Sequence, residues 1–180
     1  MDVVEYQLEC RSMTSEDVAL VAQYWANLKS EDMQRMGVDE SKLPDLNTLK
    51  QNLNHQLSLP IEERRSYATI WYVNKEQIGH CNVNPFEFDK EGFLHLHVWK
   101  PLNRNKGLGT KLVELSVRHF FKELSLKTIY SEPFAENTAP NATLPKVGFK
   151  KMKTYETIPG SINFLQRVNR WQLKREEFKF

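Results

Sequence analysis

The stretch Val98-Trp99-Lys100-Pro101-Leu102-Asn103-Arg104-Asn105-Lys106-Gly107-Leu108-Gly109-Thr110 decides how this chain is read. Before it, Phe93 to Trp99 reads as a strand. After it, Leu108, Leu112, Leu115 and His119 recur at helical spacing. The stretch is therefore a strand-to-helix turn containing R-x-x-G-x-G. Glycines let a backbone approach a ligand closely. The first turn of a helix presents unpaired N–H groups and the positive end of the dipole. Together they form an anion site suited to a pyrophosphate, with Arg104 and Lys106 adding charge. A P-loop needs four residues between its glycines, and the dinucleotide fingerprint lacks its third glycine because position 112 is Leu. A tight turn with glycines for packing is the other reading of the same residues.

Working outward, Glu5 to Arg11 alternates as a first strand, and Thr14 or Ser15 caps a helix carrying Val18, Val21, Trp25 and Leu28 on one face. Residues 29–44 are polar and interrupted. Leu46, Leu49 and Leu53 mark a second helix, ended by Pro60. Ser66 to Val73 and Gln77 to Asn84 form a hairpin around Asn74-Lys75, and Pro85 to Glu91 is a polar loop. Thr128 to Glu132 is a short strand and Asn137 to Val147 a helix, short or kinked at Pro145. Lys150 to Thr157 and Val168 to Leu173 are the last strands. The order βααβββαβαββ predicts an α/β (α+β) fold with a mixed, mostly antiparallel sheet flanked by helices.

Composition agrees with one globular domain spanning 1–180. The chain has 180 residues, 40% hydrophobic and 11% aromatic, which argues against disorder. Its net charge of +2 does not point to nucleic acid. No apolar run is long enough to cross a membrane. Two cysteines, Cys10 and Cys81, exclude a disulfide scaffold and read as free thiols. Without a basic and apolar leader after Met1, the expectation is a cytoplasmic protein.

With its R-x-x-G-x-G of Arg104, Gly107 and Gly109, the chain resembles the GNAT family of acetyl-CoA-dependent N-acetyltransferases. A second landmark of that family, an Asn about a dozen residues before Gly-Phe, is matched by Asn137 and Gly148-Phe149. The resemblance covers roughly residues 4–174 and is nearest to the branch containing ribosomal-protein N-terminal acetyltransferases. It implies that the strand ending near Val98 splays from the strand at Thr128, leaving a gap for the pantetheine arm. Backbone of Val98, Trp99 and Lys100 would pair with that arm. Arg104, Asn105, Lys106, Gly107, Leu108, Gly109 and Thr110 would hold the pyrophosphate, and Asn137 would bond the cofactor near the pantetheine. The implied reaction moves acetyl from acetyl-CoA to a primary amine, either the N-terminal α-amine of a peptide or a small-molecule amine. A homodimer fits the family, with no interface readable here.

Attack by an amine on a thioester needs a proton acceptor. Glu132, five residues before Asn137, matches a strand glutamate proposed as base in the similar ribosomal-protein enzymes. His95 and His97 share one face of their strand and titrate near neutrality. H-x-H lacks a nearby third ligand, so no metal is expected. The position where many GNATs carry an acidic Tyr is Leu144. Tyr130 and Tyr155 are substitutes by proximity alone. A thiol of pKa about 8.5 is a fair leaving group without a dedicated acid. The acceptor is expected against the first two helices and the loop Pro159 to Phe164. The missing Tyr also motivates an alternative, a catalytically silent GNAT-fold protein that binds coenzyme A as a sensor.

Overall fold

The computed structural model describes residues 5–100 and 107–180. Its elements run β1 (Leu8–Ser12), α1 (Val18–Ala26), α2 (Ser30–Arg35), α3 (Leu46–Ser58), β2 (Tyr67–Val73), β3 (Glu76–Glu87) and β4 (Glu91–Val98). They continue with α4 (Leu108–Glu123), β5 (Thr128–Ser131), α5 (Thr138–Val147), β6 (Lys150–Thr157) and β7 (Gln166–Lys174). The strands form one sheet in the order β1-β2-β3-β4-β5-β7-β6. Only β4 and β5 run parallel; the other neighbours are antiparallel.

Two faces of the sheet are covered by different helices. Along β2, Thr69 and Trp71 point toward α4, where both meet Ser116. Ala68 and Ile70 point the other way and share a core with Met13 and Val21, flanked by Trp25 and Leu53 of α1 and α3. The larger core joins Trp71, Cys81, Val83 and Leu94 to Leu112, Val117 and Phe120 of α4. Ser116 is fully buried and satisfied: it receives the Trp71 indole N–H at 2.8 Å and donates to Leu112 O at 3.1 Å. A buried hydroxyl left unpaired would cost about 1–3 kcal/mol, so this network keeps α4 on the sheet.

Local chemistry explains most boundaries. Asn74 and Lys75 both adopt positive φ, the geometry of the tightest hairpin turns. Asp45 caps α3 by accepting from Thr48 N at 2.9 Å. Two expectations are corrected. The interrupted segment 29–44 contains a third helix before β2, α2, because Met33 buries and Glu31 and Asp32 favour its first turn. The loop expected over Pro85 to Glu91 is partly strand: β3 continues to Glu87 through a register shift, and buried Phe86 holds it in the core. Helix α5 accommodates Pro145 because it ends three residues later, at Gly148. Both cysteines are free, as expected.

Candidate active site

The site begins where two parallel strands part. β4 and β5 pair only through Glu91–Phe93 and Thr128–Tyr130. At the next step the Ser131 hydroxyl donates to Leu94 O at 2.8 Å. Antiparallel pairing turns alternate backbone groups toward β3. Trp99 N–H takes that side, donating to Ile78 O at 2.8 Å. The same alternation turns the backbone of Leu96 and Val98 into the opening between β4 and β5. Val98 thus turns its backbone into the opening, Trp99 turns its N–H toward β3, and Leu96, which the sequence did not single out, shares the opening with Val98.

The opening widens into a cleft of about 400 Å³. Leu96, His97 and Val98 form one wall, Gly107, Gly109 and Thr110 the mouth, and Asn137 and Ala139 the other wall. Gly107 caps α4 with φ of 71°, a left-handed conformation that costs an L-residue about 1–2 kcal/mol. A Cβ at Gly107 or Gly109 would meet no described atom within 4 Å. Among the described residues nothing packs against Gly109, so packing against them does not account for the glycine. Leu108 instead turns its side chain into the core. Arg104, Asn105 and Lys106 lie outside the described residues. Asn137 is buried, forms no cap bond to α5 and lines the cleft. Lys100 is exposed and ion-paired with Glu76. Unpaired helix N–H groups, two bare glycines and an open strand edge together fit a diphosphate followed by an extended arm.

His97 closes the inner end of this cleft. Its ring stacks on His80 with centroids 4.5 Å apart, a cross-strand pair between β4 and β3. Tyr24 of α1 lies with its hydroxyl 3.2 Å from His97 Nδ1 and donates to Met36 Sδ. Which of the two donates in the Tyr24–Nδ1 contact follows the imidazole tautomer. The indole N–H of Trp99 donates to His80 Nδ1 at 2.7 Å. Burial holds both imidazoles neutral: His80 is pushed down to about 3, and His97 well below its ordinary value, with His80 adding to the effect.

This burial carries a stability consequence. Above about pH 6.5 both histidines are neutral in the folded and unfolded chain, so their full contribution is present. Below it the unfolded chain takes up protons that the native protein refuses, and stability falls with pH toward about 3. Between pH 7 and 4.5 His80 alone is expected to cost about 2–3 kcal/mol. Urea unfolding of the protein and of His80→Asn at both pH values checks this; an equal pH dependence in the two would reject it.

A second pocket of about 310 Å³ lies on the other side of that histidine pair, between α1, α3 and the sheet. His80, Asn82 and Ile162 line it, so it lies against the first helices and the last loop.

The chain matches the acetyltransferase (GNAT) domain family over residues 7–150. It belongs to the GNAT family. No curated protein sequence matches it. Among solved structures, the spermidine N-acetyltransferase from Vibrio cholerae, in complex with CoA and spermine, superimposes with a TM-score of 0.75 at 17% identity. That alignment covers 95% of this chain and 97% of the other. The ribosomal L7/L12 α-N-protein acetyltransferase RimL, in complex with coenzyme A, gives 0.73 at 13% identity over 93% of each chain. Aminoglycoside acetyltransferase AAC(6')-Ib with coenzyme A and kanamycin gives 0.72 at 19%, covering 95% and 96%. These likenesses share the fold of this GNAT chain.

The remaining candidates of this GNAT domain fall outside the cleft. The Glu132 carboxylate accepts from Tyr155 and from Arg170 at 3.1 Å, in an ion pair. His95 is exposed on the same face as His97, with Nε2 2.7 Å from Asn84 O and within electrostatic reach of Glu132. Tyr130 receives a bond from Gln172. Leu144 is fully buried in the core. No cluster of metal-ligating side chains occurs among the described residues, and none of their helices is long and apolar enough to cross a membrane. Tyr24 and His80 were not singled out from the sequence. Tyr24 adjoins Trp25 on α1, but nothing in its spacing marks it.

Proposed function

We propose that the protein transfers the acetyl group of acetyl-CoA to a primary amine, with His97 as the proton acceptor. One observation carries this reading. His97 lines the phosphate-ready cleft, His80 lines the second pocket, and their rings stack at 4.5 Å. The two cavities approach each other at that pair. The cleft fits coenzyme A: helix α4 opens onto the diphosphate, and the open edge at Leu96 and Val98 takes the pantetheine arm. Solved relatives in fold carry coenzyme A, which supports the assignment.

The amine nitrogen attacks the thioester carbonyl carbon, forming the C–N bond and a tetrahedral oxyanion. Its nitrogen is then cationic and acidic, so a weak base suffices. The unprotonated ring nitrogen of His97 takes that proton. The C–S bond breaks, the thiolate leaves with its electron pair, and His97 passes the amine's proton to sulfur. A thiol of pKa about 8.5 needs no dedicated acid, which agrees with Leu144 in the tyrosine position. Glu132 is the weaker candidate because Tyr155 and Arg170 already occupy its carboxylate.

Thiol release from acetyl-CoA over a panel of amines and peptides tests the activity. Acetyl transfer to at least one amine is expected. Tight coenzyme A binding with no transfer would favour the silent sensor, the reading that Leu144 suggests. Glu132→Gln is expected to leave turnover within about threefold and cofactor affinity unchanged. A loss of about 100-fold in turnover, the scale of general-base catalysis, would return the base to Glu132.

A further inference from the structure

We infer that the acceptor is a monoamine bearing an apolar group, such as the first residue of a peptide, and not a polycation. The inference rests on the acetyl-transfer reading and concerns the pocket behind His80. Val21 and Trp25 of α1, Leu49 and Leu53 of α3, Ala68 and Ile162 make its walls apolar. Its polar lining consists of neutral groups, namely Asn52, Gln56, Ser66, Asn82 and Asn84, and of His80, which burial keeps uncharged. No carboxylate is present in that lining.

A volume of about 310 Å³ lies at the lower end of small-molecule sites. It accommodates a residue-sized group. An acceptor amine must itself lose its charge before attack, so it needs no carboxylate. Every further ammonium of a polyamine or aminoglycoside would remain charged, and desolvating an unpaired cation is costly. Amide side chains suit a peptide backbone, which both donates and accepts. A competing seat for cations exists: an open groove of about 460 Å³ carries Glu31 and Glu136 beside Arg35, and Arg35 also borders the coenzyme cleft.

The test measures kcat/KM for tripeptides beginning with Leu, Ser or Lys, and for spermidine and kanamycin. The Leu-first peptide is expected to exceed both polycations by at least about 100-fold. Asn52→Asp, an exposed change on α3 that brings a carboxylate to the pocket, should lower the Leu-first peptide several-fold and narrow its advantage over Lys-first. Spermidine or kanamycin turned over as well as the Leu-first peptide would overturn the inference and move the acceptor to the Glu31–Glu136 groove. Acetyl transfer itself would then stand. If coenzyme A binds and no amine is acetylated, the proposed activity fails, and the inference falls with it. An unchanged peptide preference in Asn52→Asp would also reject this pocket.

Discussion

Gly109→Trp is expected to abolish coenzyme A binding while leaving the protein as stable as before, or slightly more so. The two halves of that result come from separate physics. Gly109 is the second residue of α4, and a side chain there meets no described atom within 4 Å. Replacing glycine within a helix gains up to about 1 kcal/mol, which in a chain of this size shifts Tm by about 2–4 °C. The ligand suffers instead. A diphosphate bonded to the first N–H groups of α4 must come within hydrogen-bonding distance of the backbone, and an indole would fill that space. Each charge-assisted bond is worth about 1.5–3 kcal/mol, so losing two of them lowers affinity by about 100-fold or more. Calorimetric titration with coenzyme A, alongside a melting curve, reads both quantities. Gly109→Ala is the control, expected to bind because a methyl group is small. Undiminished affinity in Gly109→Trp would remove the helix start from the cofactor site. Gly107→Ala is a poorer probe, since its positive φ adds strain to the folded state.

His97→Gln is expected to lower kcat by about 10²–10⁴-fold with little change in coenzyme A affinity. The amide keeps a polar group opposite Tyr24 but cannot accept and return a proton. The pH profile gives an independent readout. Burial and the neighbouring His80 hold His97 well below its ordinary pKa of 6.5. The unprotonated, active form therefore persists below pH 6.5, and the acid limb of kcat should lie below that value. Tyr24→Phe should shift this limb or reduce kcat more mildly, because it removes only the group that orients Nδ1. An acid limb centred near 6.5 in the native protein, or full turnover in His97→Gln, would exclude His97 as the acceptor.

Much of the fold could be read because its signals are local. The turn at Asn74-Lys75 depends on two residues that tolerate positive φ. The start of α4 at Gly107 is legible for the same reason, since the glycines and the helix pattern are contiguous in the chain. Where the reading failed, a distant partner decided the outcome. Phe86 keeps β3 going past Pro85 because the core receives its ring. Met33 stabilises α2 by burial, which its polar neighbours conceal.

The proposed catalytic centre is the clearest case of that division. From the sequence alone came the GNAT resemblance, the expectation of an anion-binding loop, Asn137 at a helix start, and three candidate bases, Glu132 first on the resemblance and the two strand histidines second. The tertiary structure gives the three different surroundings. It set Glu132 against Arg170 and Tyr155, left His95 at the surface, and buried His97 between two cavities. It also brought in Tyr24 and His80, which stand 73 and 17 residues from His97. Backbone conformation is governed by neighbours along the chain, so loops and caps are written locally. Side-chain facing across a sheet depends on register and on which helix covers each face. Those are settled only when the whole core packs.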